Sequence, residues 1–388
     1  MSLFNILIFL YILLKPFYFW SSGLPQISDI ILVFSFIIML VTSDKKQTIM
    51  LLRKNVHFII FLIFVFIINL IYFIYYTNID FVHATLYYTF NTMGILIFTK
   101  AFEDKNKHTV KMTRTAFMLS LILQLALYFL KIGKQYSQNR YMGTFNDPNQ
   151  FAFFCLLAYC YIYLLMPKNK RFSIINFTFL SLATYLIILS GSTGMLLGIT
   201  IFIASFVLFA VRKIFTNPRK ALRIVVLATP CIVFMCCIVA LLPNSQEILY
   251  KITNLPIYSR VQEKTMKASG EADVSLWEER GYDRIMYYPH YIIYGAGQGN
   301  NSRFEKAYHH GELHATLPAV LFCYGIAPTL LLIKWILKKL RGVEKERLIV
   351  YVALIAESFT LANSRQVLFW SIFIIAPLLI EGEHNGIE

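Results

Sequence analysis

Residues 56–76 read VHFIIFLIFVFIINLIYFIYY, an apolar run without Asp, Glu, Lys or Arg that is long enough to cross the hydrocarbon core of a bilayer as one helix. The rest of the 388-residue chain has the same character: 57% of the residues are hydrophobic, 16% are aromatic and the mean hydropathy is +0.60. Soluble globular domains carry a smaller apolar share. The sequence therefore predicts an all-α, polytopic integral membrane protein.

Twelve apolar windows predict twelve transmembrane helices. They cover residues 3–20, 26–43, 56–76, 80–101, 112–132, 150–166, 173–189, 194–212, 222–243, 313–333, 347–363 and 366–381. Lys15 interrupts the first window, where its side chain is expected to extend to the membrane interface, and no cleavage site marks a removable signal peptide. The polar stretch from Pro243 to Glu312 separates the ninth window from the tenth. We therefore expect helices 1–9 in residues 1–243, one long loop over 244–312, and helices 10–12 in residues 313–388.

Positive charge in the short connections predicts the orientation, because loops rich in Lys and Arg remain on the cytoplasmic side of a membrane. Five alternate connections hold 4, 5, 3, 5 and 6 basic residues in chain order, whereas the opposite short connections together hold five. Both termini are therefore expected in the cytoplasm and the long loop on the outer side. The net charge of +15 follows largely from these loops beside anionic lipid, so no nucleic-acid partner is predicted.

Neither a metal nor a cofactor is predicted. All six cysteines lie inside predicted helices, which indicates neither a disulfide framework nor a metal site with ligand-like spacing. The chain also has no glycine-rich phosphate loop of the nucleotide-binding kind. A nucleotide-driven pump is therefore not expected.

The loop RYMGTFNDPNQFAFF, residues 140–154, is the first with candidate chemistry and is expected on the outer side. Asp147 is expected to cap a helix that begins at Pro148, which is an ordinary structural role. A helix N-terminus with an Arg upstream and a Gly that permits close approach is also typical of a phosphate site. The candidates for such a site are Arg140, Gly143 and Asn149. The alternative for Arg140 is an interfacial anchor at lipid headgroups.

The long loop has eight basic and nine acidic residues, so an anion site within it must arise from placement rather than from net charge. Its stretch SLWEERGYDRIMYY, residues 275–288, has a helix-like pattern with Arg280 and Arg284 one turn apart on one face. Such a pair suits a diphosphate, and Trp277 and Tyr288 offer aromatic surface to a sugar. The alternative is a solvated amphipathic helix with internal ion pairs.

Further candidates lie near the predicted outer surface. His314, at the predicted start of the tenth helix, is a candidate general base because a neutral imidazole accepts a proton near pH 7. The alternative is an interfacial His that only ends a helix. The segment GAGQGNN, residues 295–301, is expected to be a flexible turn, while SGSTG, residues 190–194, allows two helices to approach closely. Arg260 and Arg365 add further cations to this side.

The pattern as a whole resembles the O-antigen polymerase and O-antigen ligase superfamily of bacterial polysaccharide assembly, specifically its Wzy-type polymerases. The segments that carry the resemblance are RYMGTFNDPNQFAFF (140–154), SGSTG (190–194), YYPHYIIYGAGQGNN (287–301) and HATLPAVLFCYGI (314–326). Outside about residues 140–326 the chain agrees only in the number and topology of its helices. The resemblance implies the fold of C-type glycosyltransferases, which act on lipid-linked donors at the outer membrane face.

The resemblance also implies roles for individual residues. Arg140 and an Arg of the long loop, best matched by Arg280, are expected to hold undecaprenyl pyrophosphate, and His314 is expected near the acceptor. The R-x10-G spacing of some polymerases is met instead by Arg284 and Gly295. The choice between Arg280 and Arg284 therefore remains open at this level.

The expected function combines these features. Sugar nucleotides are cytoplasmic whereas the candidate site is outside, and the loops expected there lack a D-x-D metal motif, so the donor should arrive attached to a lipid. We expect a metal-independent O-antigen polymerase of the bacterial inner membrane that joins undecaprenyl-pyrophosphate-linked oligosaccharide units at the periplasmic face. The expected catalytic residues are His314, Arg140 and Arg280. The expected substrate-binding residues are Arg284, Arg260, Asn149, Gly143, Trp277, Tyr288 and Arg365.

Three other functions fit parts of the pattern. An O-antigen ligase, which moves finished polymer to lipid A-core, uses the same donor chemistry. A lipid-linked oligosaccharide flippase commonly has twelve helices but does not need the long outer loop, and a scaffold for an assembly complex leaves the clustered outer Arg and His residues without a role. The expected partners are the lipid-linked substrates and membrane lipids, together with a chain-length regulator and a flippase.

Overall fold

The computed structural model describes residues 3–20, 25–103, 106–136, 140–171, 173–216 and 256–379. Within these ranges the chain is mostly helical with two short strands, which is consistent with the predicted all-α class. The described helices are α1 Leu3–Leu14, α2 Ile27–Thr42, α3 Lys45–Lys54, α4 Val56–Tyr76, α5 Asp80–Ala101, α6 Lys107–Phe129, α7 Pro148–Leu164, α8 Ile174–Ser190, α9 Thr193–Thr216, α10 Pro256–Ser269, α11 Leu276–Glu279, α12 Asp283–Tyr287, α13 Tyr291–Tyr294, α14 Thr316–Tyr324, α15 Ile326–Leu340, α16 Lys345–Glu357 and α17 Val367–Ser371. Short 3-10 helices occupy Lys168–Lys170, Asn301–Arg303 and Ala376–Leu379, and strands β1 Lys134–Tyr136 and β2 Arg140–Gly143 pair antiparallel. The predicted helix over 222–243 lies outside the described residues.

By length and composition, α4 and α6 are the helices of the described chain that are long and apolar enough to cross a membrane. Six shorter apolar helices accompany them. Much of the side-chain surface of α4 is exposed, including Ile63, Phe66 and Ile71. A continuous exposed apolar face of this kind meets either lipid or another protein.

Helix α7 forms the centre of the bundle, because every residue from Phe151 to Leu164 is buried. Its start follows the sequence signal: the Asp147 side chain accepts hydrogen bonds from the backbone N–H groups of Asn149 and Gln150, and Pro148 is the first helical residue. The predicted cap is therefore confirmed. The helix packs against α6, α8 and α9, and so it places residues 147–150 at one end of the bundle.

The connections between helices gather at two ends of the bundle. At the end that we call the basic end, Lys54 pairs with Glu103 at 2.5 Å and Arg171 pairs with Glu344 at 2.8 Å. At the opposite end, β2 contacts the start of α7 and the turn after α8. Segments predicted to lie on one side of the membrane thus meet at one end of the bundle.

The structure corrects the expectation for Lys15. Helix α1 ends at Leu14, and the Lys15 ammonium is buried 2.8 Å from the Asp29 carboxylate instead of extending to an interface. The ion pair compensates both buried charges, which would otherwise be costly to remove from water.

The tenth predicted helix is also interrupted. Gly325, with φ +79°, separates α14 from α15, and residues 295–298 fill the break. The N–H groups of Ala296 and Gly297 donate to the carbonyls of Phe322 and Cys323, at 3.0 and 2.8 Å. This segment, predicted as a flexible turn, lies outside the helices and satisfies carbonyl groups of the broken helix.

The polar loop has a small core of its own. Its buried apolar residues are Ala296, Phe304, Ala307, Leu313, Ala315 and Phe322. Because Ala315 and Phe322 come from the chain after residue 312, this core crosses the predicted boundary between the loop and the tenth helix. The last predicted helix forms only α17 and a 3-10 turn within its described part, and this stretch is mostly buried.

Candidate functional site

A cavity of about 430 Å³ lies at the end of the bundle opposite the basic end. We call it the site cavity. Five segments line it: residues 147–150, 192–195, 260–280, 312–314 and 360–366 contribute side chains. The structure therefore brings together the capped loop, the SGSTG turn, the long loop, the segment before α14 and the turn after α16, which are far apart in sequence.

The charges around the site cavity do not cancel evenly. Glu279 binds Lys264 and Lys267, and Glu312 binds Arg365. The Arg280 guanidinium instead donates to the backbone carbonyl of Thr360, and no carboxylate of the described chain lies within ion-pair distance of it. Arg280 thus remains a cation available to an anion in the cavity.

Although burial by itself raises the pKa of Glu279, hydrogen bonds and charges from Lys264 and Lys267 lower it to about 2. Glu279 is therefore an anion at neutral pH and keeps these two lysines engaged. Burial also lowers the pKa of the Arg280 guanidinium, with Glu279 acting in the opposite sense. Arginine remains protonated in proteins in spite of such shifts.

His314 lies beside Arg280. Its backbone N–H donates to the Arg280 carbonyl at 3.0 Å, and its ring centroid is 4.7 Å from that of His309. Partial desolvation by the surrounding protein lowers the pKa of the imidazole, and the charges of His309 and Arg280 lower it further. A neutral imidazole at the cavity wall can accept a proton near pH 7. The helix begins at Thr316, so His314 precedes α14 rather than starting it.

Arg140 lies behind the cavity wall. Its Nε donates to the Ser190 carbonyl at 2.8 Å and its Nη2 to Asn149 Oδ1 at 3.0 Å. The side chain is buried, so it is not an interfacial anchor, and burial together with Arg260 lowers its pKa. Asn149 itself lines the cavity. Arg140 therefore holds one lining residue and the turn that supplies others, while its direct contact with phosphate stays a prediction.

Gly143 allows the backbone conformation that leads the chain from β2 into α7. It has φ +58°, and a Cβ there would collide with Gln124 Oε1 and the Phe151 ring. The position is outside the cavity lining. Packing against α6 and α7 thus accounts for the glycine without a phosphate.

Arg280 and Arg284 do not share a helix face. Gly281, with φ +74°, separates α11 from α12, so the prediction of a two-Arg clamp on one helix was wrong. Arg284 is buried outside the cavity lining, where it donates to Asn301 Oδ1 at 3.0 Å and to the carbonyls of His309 and Gly311 at 2.7 and 2.6 Å. These contacts make it a structural centre of the loop.

The two predicted sugar-stacking residues lie apart from the cavity lining. Trp277 stacks on Tyr282, with ring centroids 4.7 Å apart, and Tyr288 packs against Phe304 at 5.3 Å. The other two predicted cations, Arg260 and Arg365, both line the cavity.

Two residues at the cavity, one in its lining and one beneath it, were not among the predicted site residues. Glu357 is fully buried, and its Oε2 accepts a hydrogen bond from Asn363 Nδ2 at 2.7 Å. Asn363 lines the cavity, and its N–H donates to Thr316 Oγ1 at 2.8 Å. The sequence contains a signal for Glu357, because an ionisable residue within a predicted membrane span indicates a candidate functional site.

An apolar groove adjoins the site cavity. It has a volume of about 430 Å³ and is lined from α2 and α5 by residues that include Val33, Leu86, Tyr87 and Phe90. The Arg365 guanidinium lies 4.5 Å from the centroid of the Tyr87 ring. Since Arg365 lines the cavity and Tyr87 lines the groove, the two spaces share a wall.

No protein-family model matches the chain, and no curated protein does either. The site itself therefore carries the functional argument. Within the described ranges, no group of three or more His, Cys, Asp or Glu side chains is arranged to hold a metal ion. The site cavity combines an arginine without a carboxylate partner, a neutral imidazole and an adjoining apolar groove, an arrangement suited to a ligand with an anionic head and an apolar tail.

Proposed function

We propose that the chain is a glycosyltransferase of the Wzy polymerase type, which joins oligosaccharide units carried on undecaprenyl pyrophosphate. The observation that carries the proposal is the placement of Arg280 and His314 side by side in a cavity of an apolar helical bundle. Phosphate needs a fixed cation, and glycosyl transfer to a hydroxyl benefits from a base.

The membrane topology is part of the proposal. It comprises twelve spans arranged as in C-type glycosyltransferases, both termini in the cytoplasm and the site cavity facing the periplasm of a bacterial inner membrane. Support comes from the gathering of Lys54, Arg171 and their neighbours at the end remote from the cavity, since positive segments remain in the cytoplasm. The exposed apolar face of α4 is the surface expected to meet lipid.

The lipid carrier is assigned to the two adjoining spaces. The diphosphate would lie in the site cavity near Arg280, Arg260 and Arg365, and the first isoprenyl units would lie in the apolar groove beside Tyr87. The shared wall between groove and cavity matches the short covalent distance between an isoprenyl chain and its diphosphate.

The proposed transfer has one bond-forming and one bond-breaking event. The hydroxyl oxygen of the acceptor sugar attacks the anomeric carbon of the donor chain, and the bond from that carbon to the diphosphate oxygen breaks. The hydroxyl proton passes to the His314 imidazole. The charge that develops on the leaving diphosphate is stabilised by Arg280 and the neighbouring cations.

Deletion of the gene in its native host, followed by gel analysis of the extracted lipopolysaccharide, tests the proposal. A core that bears a single repeat unit supports a polymerase, because ligation continues. Bare core with accumulated lipid-linked polymer would indicate a ligase instead. An unchanged ladder would refute both, and accumulation of lipid-linked single units on the cytoplasmic side would indicate a flippase.

Complementation of the deletion then tests the site. His314→Ala is expected to abolish polymer while the protein remains in the membrane at its normal level. Lys306→Ala is the matched control, since Lys306 is an exposed cation of the same loop outside the cavity. Polymer of normal length from the His314 variant would contradict the assigned base.

A further inference from the structure

A second charged pocket lies at the basic end, far from the site cavity. It has a volume of about 490 Å³ and is formed by the end of α3, the end of α5, the end of α15 and residues 374–378. Four cations line it: Arg53, Lys54, Lys338 and Lys339. Met50, Phe102 and Ile374 add apolar surface to the same wall.

Among the described residues, the charges that line this pocket do not balance. Glu103 is the lining carboxylate, and Lys54 Nζ already binds it at 2.5 Å. This leaves Arg53, Lys338 and Lys339 without a carboxylate among the lining residues of the described chain. Three cations around one concave surface favour a bound anion.

Lys339 gives the strongest reason to expect a bound anion, because it lies in the buried part of the pocket with 8% of its surface exposed. Its ammonium is 5.9 Å from the centroid of the Trp335 ring, a contact that compensates the charge only in part. A buried ammonium without an anionic partner is costly. Arg53 and Lys338, in contrast, are exposed and lie at the mouth.

The surroundings of the pocket indicate a lipid rather than a free ion. Helix α3 buries Leu51 but exposes Ile49, Met50 and Leu52 to 40, 39 and 40% beside its basic residues. A helix with apolar and basic side chains exposed together is typical of a membrane surface. Basic pockets between helices near such a surface bind anionic lipid headgroups.

We propose that this pocket binds the phosphodiester headgroup of an anionic phospholipid. Lys339 contacts the phosphate from the buried side, Arg53 and Lys338 contact it at the mouth, and the apolar wall receives the glycerol and the first methylene groups. The proposal is independent of the reaction in the site cavity, and it holds for either orientation of the bundle.

Binding of short-chain lipids to the delipidated full-length protein in detergent tests this assignment by native mass spectrometry. The probes are dioctanoyl phosphatidylglycerol, dioctanoyl phosphatidylcholine and inorganic phosphate. We expect phosphatidylglycerol to bind at least about tenfold more tightly than phosphatidylcholine, a difference of about 1.4 kcal/mol. We expect Lys339→Gln to remove most of that preference.

Lys345→Gln is the matched control, because Lys345 is an exposed cation of the same end that does not line the pocket. If Lys339→Gln does not fold, the double variant Arg53→Gln with Lys338→Gln removes the two exposed cations and is expected to abolish the preference equally. Equal binding of both lipids, or equal weakening by Lys345→Gln, would overturn the proposal. Competition by inorganic phosphate at concentrations equal to the lipid would overturn it in favour of a free-phosphate site.

Discussion

Arg280 and Arg284 are four residues apart, and the structure predicts opposite consequences for replacing them. Arg280 faces the site cavity with one hydrogen bond to a backbone carbonyl, whereas Arg284 is buried and binds three acceptors. Methionine is the informative replacement for both, because it retains aliphatic volume but removes the charge and all donors. We expect Arg280→Met to lose activity and Arg284→Met to lose stability.

The magnitudes follow from the contacts. Hydrogen bonds to charged groups contribute about 1.5–3 kcal/mol each, and Arg284→Met leaves the carbonyls of His309 and Gly311 without this donor. After allowance for the apolar surface that methionine buries, the free energy of unfolding should fall by about 3–5 kcal/mol. Arg280→Met removes one such hydrogen bond at a partly exposed site and should cost about 1.5 kcal/mol of stability. Its loss of charge stabilisation in the transition state should lower the rate of the proposed glycosyl transfer by about 10²–10³-fold.

Thermal unfolding of the purified variants and polymer formation per folded molecule are the two measurements. Polymer formation uses a synthetic polyprenyl-diphosphate-linked oligosaccharide in nanodiscs. An Arg284→Met protein with native stability but no activity would refute the reasoning, because it would give Arg284 the role assigned to Arg280. Native activity in Arg280→Met would refute it as well.

Three further predictions concern local stability. The pKa of Glu279 in the folded protein is about 2, below the ordinary 4.5. Its ion pair with Lys264 therefore stabilises the fold fully above about pH 4.5, and this contribution is lost as the pH falls from about 4.5 to 2. The difference in denaturant midpoint between wild type and Glu279→Gln should vanish over the same interval. Gly295→Ala should lower the free energy of unfolding, measured by thermal unfolding, by about 3 kcal/mol or more, since φ is +83° and the new Cβ would lie 2.6 Å from the backbone of α14. Gly270→Ala, with φ +79° and open space around the new Cβ, should lower it by only about 1 kcal/mol. Asp29→Asn should lower the free energy of unfolding by about 3–5 kcal/mol, because it leaves a buried lysine without its carboxylate; a change under 1 kcal/mol would contradict the burial of this pair.

Local signals in the sequence predicted the parts of the fold that depend on neighbouring residues. The cap formed by Asp147 and Pro148 begins α7 as expected, because the Asp147 side chain reaches only the next N–H groups. The apolar run over 56–76 forms α4 with the same bounds. The helical class follows from composition and from runs of this kind.

Contacts between residues far apart in sequence determine which side chains line the site cavity. The helix is interrupted at Gly281, and this break decides which arginine reaches the cavity. The charge pattern of residues 275–288 does not predict the break. Arg140 was found as a candidate but lies one layer behind the cavity, since its donors meet the Ser190 carbonyl of a distant turn and Asn149 at the start of α7. Asn363 was missed because its place at the cavity depends on a contact with Thr316, the first residue of α14. Glu357 was missed although it lies within a predicted span, because its contact with the cavity runs through Asn363.

The sequence by itself determined that this protein is helical and strongly apolar, that one helix begins at Pro148, and that an unusually polar loop carries clustered Arg and His residues. Those properties arise from composition and from interactions within one helical turn. Only the tertiary structure decided that Arg280 and His314 meet in one cavity while Arg284 is buried elsewhere. The reason is physical: a side chain's partners across the bundle are set by the packing of helices distant in sequence, and the break at Gly281 turns Arg284 away from the face that carries Arg280.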